Sequence, residues 1–195
     1  MATNKDLQQY KEAVGAYARE GKDFLFHNEG EDHALIICTN IFDNATKHIR
    51  IVAEDLCNKR KVCADMSYVN ALRRYLERED SRLSIILTNF PSEKDMLRSP
   101  LFCMLSDSKA YAEGRVVIKD SKKTLFLSKT ADDKSETINF CTGDDHMFRV
   151  ENDVTNCRAI ANFGDKKTTT QLNEVFDRGF AEFTEVDLSK VFSAA

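Results

Sequence analysis

The sequence predicts an α/β protein, with a mixed β-sheet flanked by helices and an N-terminal helical extension. Three observations predict it. Apolar residues recur at helical spacing in the first part of the chain, a strand, helix, strand succession follows, and from Gly114 onward the pattern changes to short alternating stretches. With 195 residues and 42% apolar content, the chain suits one domain with a substantial core. That domain divides into an N-terminal helical part at 1–45, a core at 46–185 and a tail at 186–195.

Leu7, Tyr10, Val14 and Tyr17 mark the first helix, with Asn4 as its cap and Gly21 closing it. The segment DFLF reads as a short strand. Leu35, Cys38, Ile41, Phe42 and Ala45 then form a more deeply buried helix. In HIRIVAEDL, Ile49, Ile51 and Ala53 alternate with His48, Arg50 and Val52, as in a strand covered mainly on one face. Ser67 can cap a helix carrying Val69, Leu72, Tyr75 and Leu76, and the apolar strand LSIILTN follows. This succession implies a right-handed parallel crossover. A helix from Glu93 to Leu105 is broken or kinked at Ser99-Pro100.

The stretches GRVVIKD, KTLFLSK, ETINFCT, HMFRVEN and CRAIANF read as neighbouring strands, several of them antiparallel. A last clear helix presents Leu172, Val175, Phe176, Phe180 and Phe183 and should pack firmly on the sheet. The tail, with Val186, Leu188, Val191 and Phe192, should pack on this domain or on a partner.

Lys and Arg total 28 against 32 Asp and Glu, so a net charge of −4 provides no global basic field for nucleic acid. No apolar run approaches a membrane span, and MATNKDLQQY lacks the pattern of a signal peptide, which leads us to expect a cytoplasmic protein with no membrane partner. The six cysteines show no C-x-x-C pair and no zinc-ligand spacing, so reduced, packed thiols and no metal or other cofactor are expected. Cys57 and Cys63, flanking NKRK, look exposed enough to react. No glycine-rich phosphate loop and no G-x-S-x-G elbow occurs. The pairs Asp132-Asp133 and Asp144-Asp145 read as turns rather than cation sites. The basic runs at Lys59-Arg60-Lys61, Lys122-Lys123 and Lys166-Lys167 read as solvated loop charge.

The element order, carried by KHIRIVAEDL, YVNALRRYLERE and SRLSIILTN and then by HMFRVEND, CRAIANFGD and TTTQLNEVFDRGF, resembles one half of the phospholipase D-like fold over about Lys47 to Phe183. The resemblance implies an H-x-K-x4-D motif followed by G-S-x-N, in which His attacks phosphorus and Lys neutralises the phosphoryl oxygens. On INFCTGDDHMFRVEND, the register that places Asp144 in the turn puts Thr137 at the His position and Asn139 at the Lys position, and Glu151-Asn152 replaces Gly-Ser. The chemistry is absent in this register.

Two other registers are open. His146 and Asp153 keep the His and Asp spacing, but Phe148 stands in place of Lys and Arg149 points to the opposite face. His48, Arg50 and Asp55 fit H-x-R-x4-D, but Arg is not a neutral replacement for Lys, no G-S-x-N follows, and His48 and Arg50 read as solvated strand-edge residues.

The resemblance therefore implies a non-catalytic binding or scaffolding protein, a pseudoenzyme. It would act as a homodimer or with a protein partner, as a subunit in a bacterial or phage conflict system of antiviral defense. Its former pocket would be lined by Thr137, Asn139, Asp144, His146, Arg149, Glu151 and Asn162. A buried Arg149 with Glu151 would read equally as a structural pair or as a ligand site. The alternatives are a metal-independent phosphodiesterase or nuclease using His146 and Asp153, and a nucleic-acid-binding module using Lys59, Arg60 and Lys61.

Overall fold

The computed structural model describes residues 4–57, 61–122, 127–129, 135–153 and 157–193, and for 4, 61, 127–129 and 135–137 the backbone alone. The elements run α1 (Asn4–Glu20), β1 (Phe26–Asn28), α2 (Glu31–Asn44), β2 (His48–Ala53), α3 (Lys61–Ala64), α4 (Met66–Leu76) and β3 (Arg82–Leu87). They continue through α5 (Glu93–Met96), α6 (Pro100–Ser106), α7 (Lys109–Ala112), β4 (Val116–Asp120), β5 (Leu127–Lys129), β6 (Ser135–Thr137) and β7 (Phe140–Gly143). The last are β8 (Met147–Asp153), β9 (Arg158–Asn162), α8 (Lys166–Glu182), β10 (Thr184–Glu185) and α9 (Leu188–Phe192).

An eight-stranded mixed sheet has the order β1-β9-β8-β7-β2-β3-β4-β10, and β5 pairs with β6 apart from it. The expected crossover is present: β2 lies parallel to β3 with Ile51 opposite Ile85, and β3 lies parallel to β4. The β2 strand also pairs antiparallel with β7, and β7, β8, β9 and β1 continue as antiparallel neighbours.

Strand alternation gives the sheet two covered faces. On one face Ile49, Ile51, Leu83, Ile85, Val116, Ile118 and Cys141 pack against Ile37, Ile41 and Phe42 of α2, Leu72 and Tyr75 of α4, and Phe102 of α6. On the other face Val52, Ile86 and Phe140 pack against Phe176 of α8, with Leu172, Phe180 and Phe183 partly buried beside it. The close approach of α2 explains Gly143, because a Cβ there would come within 2.9 Å of Ile41. At Gly164 a Cβ would meet the backbone of Gly21 and Asp23 at 2.5 Å, so this glycine lets the β9–α8 turn lie against the end of α1.

Several details correct the sequence reading. The first strand lies at Phe26–Asn28 rather than DFLF, and Phe24 and Leu25 remain 48% and 45% exposed. Asn4 belongs to α1 itself. Asp65, not Ser67, caps α4, and its side chain accepts from the Ser67 amide. The break at Ser99-Pro100 separates α5 from α6, with Ser99 as cap and Pro100 in the first turn, where its missing N–H costs nothing.

Val175 is exposed, so the buried stripe of α8 is narrower than expected. Cys57 and Cys63 are buried rather than exposed, because both pack into the main core cluster, and Cys103 is the more accessible thiol. His48 and Arg50 are not at an edge, since β2 lies mid-sheet and Arg50 forms a two-point ion pair with Asp177 of α8 at 2.8 and 3.0 Å. The tail packs on this chain through buried Leu188, with Val191 and Phe192 partly buried against the core.

Candidate functional site

A cavity of about 80 Å³ opens at the C-terminal end of β2, between the sheet and α2. Ala53, Glu54, Asp55 and Leu56 form one wall, Ala34 and Cys38 of α2 a second, and Cys63 and Tyr68 a third. Its floor is the end of the β7–β8 hairpin, comprising Asn139, Cys141, Arg149 and Glu151. Crevices beyond the carboxyl ends of parallel strands are the usual place for ligands in α/β sheets.

Alternation on β8 turns Arg149 and Glu151 to the α2 face. Arg149 is 7% exposed and donates from Nη1 to Glu151 Oε1 at 3.0 Å and from Nε to Asn28 Oδ1 at 2.9 Å. Asn28 is fixed in turn by its own donation to the Cys157 carbonyl at 2.8 Å. From the other side Asn139 Nδ2 donates to Glu151 Oε2 at 2.8 Å. One carboxylate therefore holds both an amide and a guanidinium. Two polar atoms in the cluster are buried without a partner: Arg149 Nη2 and Asn139 Oδ1.

Burial alone would lower the Arg149 pKa, but its surroundings, Glu151 among them, turn the net direction upward and keep it cationic. Burial pushes the Cys38, Cys141 and Tyr68 groups upward, and it lifts the neighbouring Cys57 thiol to about 12. All four stay protonated at neutral pH, and Cys38, Cys141 and Tyr68 line the cavity as weakly polar surface. No group of three or more His, Cys, Asp or Glu placed to hold a metal occurs among the described residues.

The structure brings together only part of the expected lining. Asn139, Arg149 and Glu151 meet in the cavity, whereas Asp144 and His146 occupy the hairpin turn at the other end of β7 and β8. At the rise of an extended chain, the five residues from 139 to 144 span roughly 17 Å. Asp144, at φ 54°, accepts from the amides of Thr46, Lys47 and His48 at 2.8 to 3.0 Å, so it pins the turn to the start of β2. The Asp144-Asp145 pair is thus a turn, as its sequence suggested.

His146 Nδ1 contacts Asp145 at 3.0 Å, and Asp153 ends β8 opposite Arg158, so the alternative pair sits at opposite ends of one strand. Asn162 is engaged elsewhere, donating to Asp23 at 2.8 Å and accepting from the Gly164 and Asp165 amides. Thr137 lies in β6 opposite Leu127, and its side chain lies outside the described residues. Lys59 and Arg60, the Lys61 side chain, Lys123 and Asp132-Asp133 also lie outside them. Leu56 and Val62, on either side of the basic run in sequence, both line the cavity.

The sequence reading missed Asn28, which lies 121 residues from its partner Arg149. It also missed the cavity cysteines as one group, although Cys38, Cys63, Cys141 and Cys157 converge there. An Asn just before Glu29-Gly30 reads as a turn residue, so no sequence signal marked the first.

No family model and no curated protein matches this sequence. Solved structures do match in shape. TrmBL2, an archaeal chromatin protein with a novel mode of DNA binding, aligns with a TM-score of 0.53 at 14% identity, over 93% of this chain and 62% of its own. Nuc from Salmonella typhimurium, a phospholipase D family member, aligns with a TM-score of 0.54 at 10% identity, over 85% of this chain and 99% of its own. Phosphatidylserine synthase of Haemophilus influenzae Rd KW20 gives 0.52 at 10% identity over 83% of this chain. This chain therefore spans nearly all of Nuc, 62% of the chromatin protein and 39% of the synthase. Among the described residues no helix is long and apolar enough to cross a membrane. At such identities the likeness is one of architecture, and this chain has a phospholipase D-like fold.

Proposed function

We propose that this chain is a non-catalytic binding or scaffolding protein built on a phospholipase D-like fold. The observation that carries the reading is Asn139. In the register set by Asp144 it stands where phosphoryl transfer needs a lysine, and its amide is committed to Glu151 at 2.8 Å. An amide cannot neutralise phosphoryl oxygens, and a carboxylate beside it repels them. His146, the candidate nucleophile of the competing phosphodiesterase reading, sits on the hairpin turn away from Arg149.

Pairing of two copies across the cavity end of the sheet accords with the two-half organisation that the fold implies, and a protein partner would occupy the same face. A role in a bacterial or phage conflict system would be exercised through that partner. Nucleic acid is a second class of partner. The DNA-binding chromatin protein among the similar structures supports it, and Lys59, Arg60 and Lys61 are the residues to carry it here. The net charge of −4 weighs against it.

The test is a metal-free cleavage assay over a broad phosphodiester panel, alongside native mass and a pull-down from the host. No cleavage, a dimeric mass and a stoichiometric partner are expected. Hydrolysis that His146→Ala abolishes would overturn the reading. Nucleic-acid affinity that falls steeply with salt and is lost on neutralising the basic run would move the assignment to a nucleic-acid module.

A further inference from the structure

On the outer side of the helical layer, α4 and α6 frame a groove of about 440 Å³ that shares no lining residue with the cavity at the end of β2. Each helix connects neighbours among the parallel strands β2, β3 and β4, so the two run side by side in the same direction. Met66 and Pro100, their first residues, flank one end of the groove, and Glu77 and Lys109 flank the other. Val69, Leu76 and Met104 give it a buried apolar floor. Its rim is apolar as well. Met66 is 52% exposed, and Leu97, whose carbonyl accepts from Cys103 Sγ at 3.6 Å, is 37% exposed. These are two of the five large apolar side chains left exposed among the described residues, so such side chains gather at this face.

Charge on the two walls says what fits. Arg73 lies about two turns beyond Met66 on α4, and Asp107 lies about two turns beyond Pro100 at the end of α6, so opposite charges stand level across the groove. About one turn further on, the signs are exchanged, with Glu77 on the α4 wall and Lys109 on the other. Arg73 makes only a hydrogen bond to Asn70 at 3.3 Å, and the side chains of Glu77 and Asp107 are unpaired among the described residues. Lys109 reaches Glu113 at 3.3 Å with its side chain 77% exposed, an ion pair of little strength. Each wall therefore carries the charge order that complements the other, which is the signature of a surface that fits itself.

We infer that the groove is a self-association face, in which α6 of each copy lies between α4 and α6 of the other about a two-fold axis parallel to the helices. Leu101, Phe102, Met104 and Leu105 of α6 serve its own core, which leaves Pro100, Cys103 and Asp107 on the side that meets the second copy. An axis in this direction preserves each residue's level along the groove. Asp107 of one copy then meets Arg73 of the other, Lys109 meets Glu77, and the two Cys103 thiols face each other near the axis. An axis across the groove would reverse the second copy and set Asp107 against the apolar Met66 end. This contact is additional to pairing at the cavity end, and a chain that uses both assembles beyond a dimer.

Cys103, the accessible thiol, is a built-in reporter. The full chain is treated with a short bismaleimide over a range of protein concentrations, with every variant checked for a native circular dichroism spectrum. The wild type should yield a covalent dimer in an amount that rises with concentration, and Cys103→Ser should yield none. Asp107→Arg sets like charges together and should lower the yield at least about tenfold, and adding Arg73→Glu should restore it. No covalent dimer from the wild type overturns the inference and leaves the groove to a helix of another protein. A yield indifferent to Asp107→Arg, or one that the second change fails to restore, overturns it too. Pairing at the cavity end involves neither Cys103 nor Asp107. A dimeric native mass without the covalent product would therefore defeat this inference and leave the earlier reading standing.

Discussion

Arg149 and Glu151 stand two residues apart on β8, and the strand's alternation turns both side chains inward, where they pair at 3.0 Å with 8% and 6% side-chain exposure. Such a pair is expensive to break from one side. Glu151→Leu should destabilise the fold by about 3–5 kcal/mol, because it leaves the guanidinium buried without its counter-charge. Adding Arg149→Met should recover most of that loss. Urea unfolding of the single and double variants measures both, and a small effect of Glu151→Leu would mean that the pair is open to water.

Asp144 predicts an acid-sensitive turn. Burial raises its pKa, but the His48, Thr46 and Lys47 amides and the Thr46 hydroxyl outweigh this, and the net direction is downward. A carboxyl whose folded pKa lies below its unfolded value contributes stability that is complete above the unfolded value and lost as pH falls through the folded one. Asp144→Asn tolerates the positive φ of 54° and isolates the charge. It should cost about 1–3 kcal/mol at neutral pH and flatten the stability profile below about pH 4. An unchanged profile would show that the charge is not what holds the turn.

His48 should titrate far below an ordinary histidine. Burial and then Arg50 push its pKa down to about 4, while Nε2 meets the Ser84 hydroxyl at 3.0 Å. The unfolded chain takes up this proton near pH 6.5 and the folded chain does not until about 4, so stability is lost as pH falls through that window. NMR titration should place the ring below pH 5, and His48→Gln should reduce the slope between pH 6.5 and 4. A ring that titrates near 6.5 would refute the prediction.

Thiol labelling should be selective. Cys103 is the partly exposed cysteine, while the other five are buried and burial raises Cys38, Cys57 and Cys141. Under native conditions a thiol reagent should modify Cys103 first and reach the others only as the protein unfolds. Rapid native labelling of Cys57 would show that the cover over it opens readily.

The α8 helix should depend on one aromatic side chain. Phe176 is fully buried between Val52, Ile86 and Phe140, and Phe176→Ala should cost about 3–5 kcal/mol. Loss of the Arg50–Asp177 bridge through Asp177→Ala should cost about 1–3 kcal/mol, because Asp177 is 53% exposed but the Arg50 side chain left without it is only 14% exposed. Thermal unfolding of the two variants ranks packing against charge at this contact.

The elements that rest on periodicity were legible. The β2–α4–β3 crossover, the Ser99-Pro100 break and the β7–β8 hairpin follow from spacing and turn chemistry. The hairpin register also foretold that Arg149 and Glu151 would share a face, which is the heart of the cavity. What escaped the sequence depends on distant pairing. DFLF has the composition of a strand, yet β1 starts at its last residue because Phe26, not Phe24, meets Ala161 of β9. Asp144 looked like a pocket residue and is a clamp, because its partners at Thr46 to His48 come from another part of the chain. Cys57 and Cys63 flank charged residues in sequence and yet belong to the main core cluster, whose other members come from distant parts of the chain.

The neighbour of β2 on one side is β3, some thirty residues on, but on the other it is β7, with Ile51 opposite Cys141. A chain emerging from the ribosome can therefore assemble the parallel β2, β3 and β4 while the remaining flank of β2 still lacks its mate. Until the later hairpin arrives, that flank is a bare ladder of amides and carbonyls lined with isoleucine, open to capture by another nascent chain. Such long-range closure makes folding slow by nature and gives helpers that shield the early half a direct influence on yield.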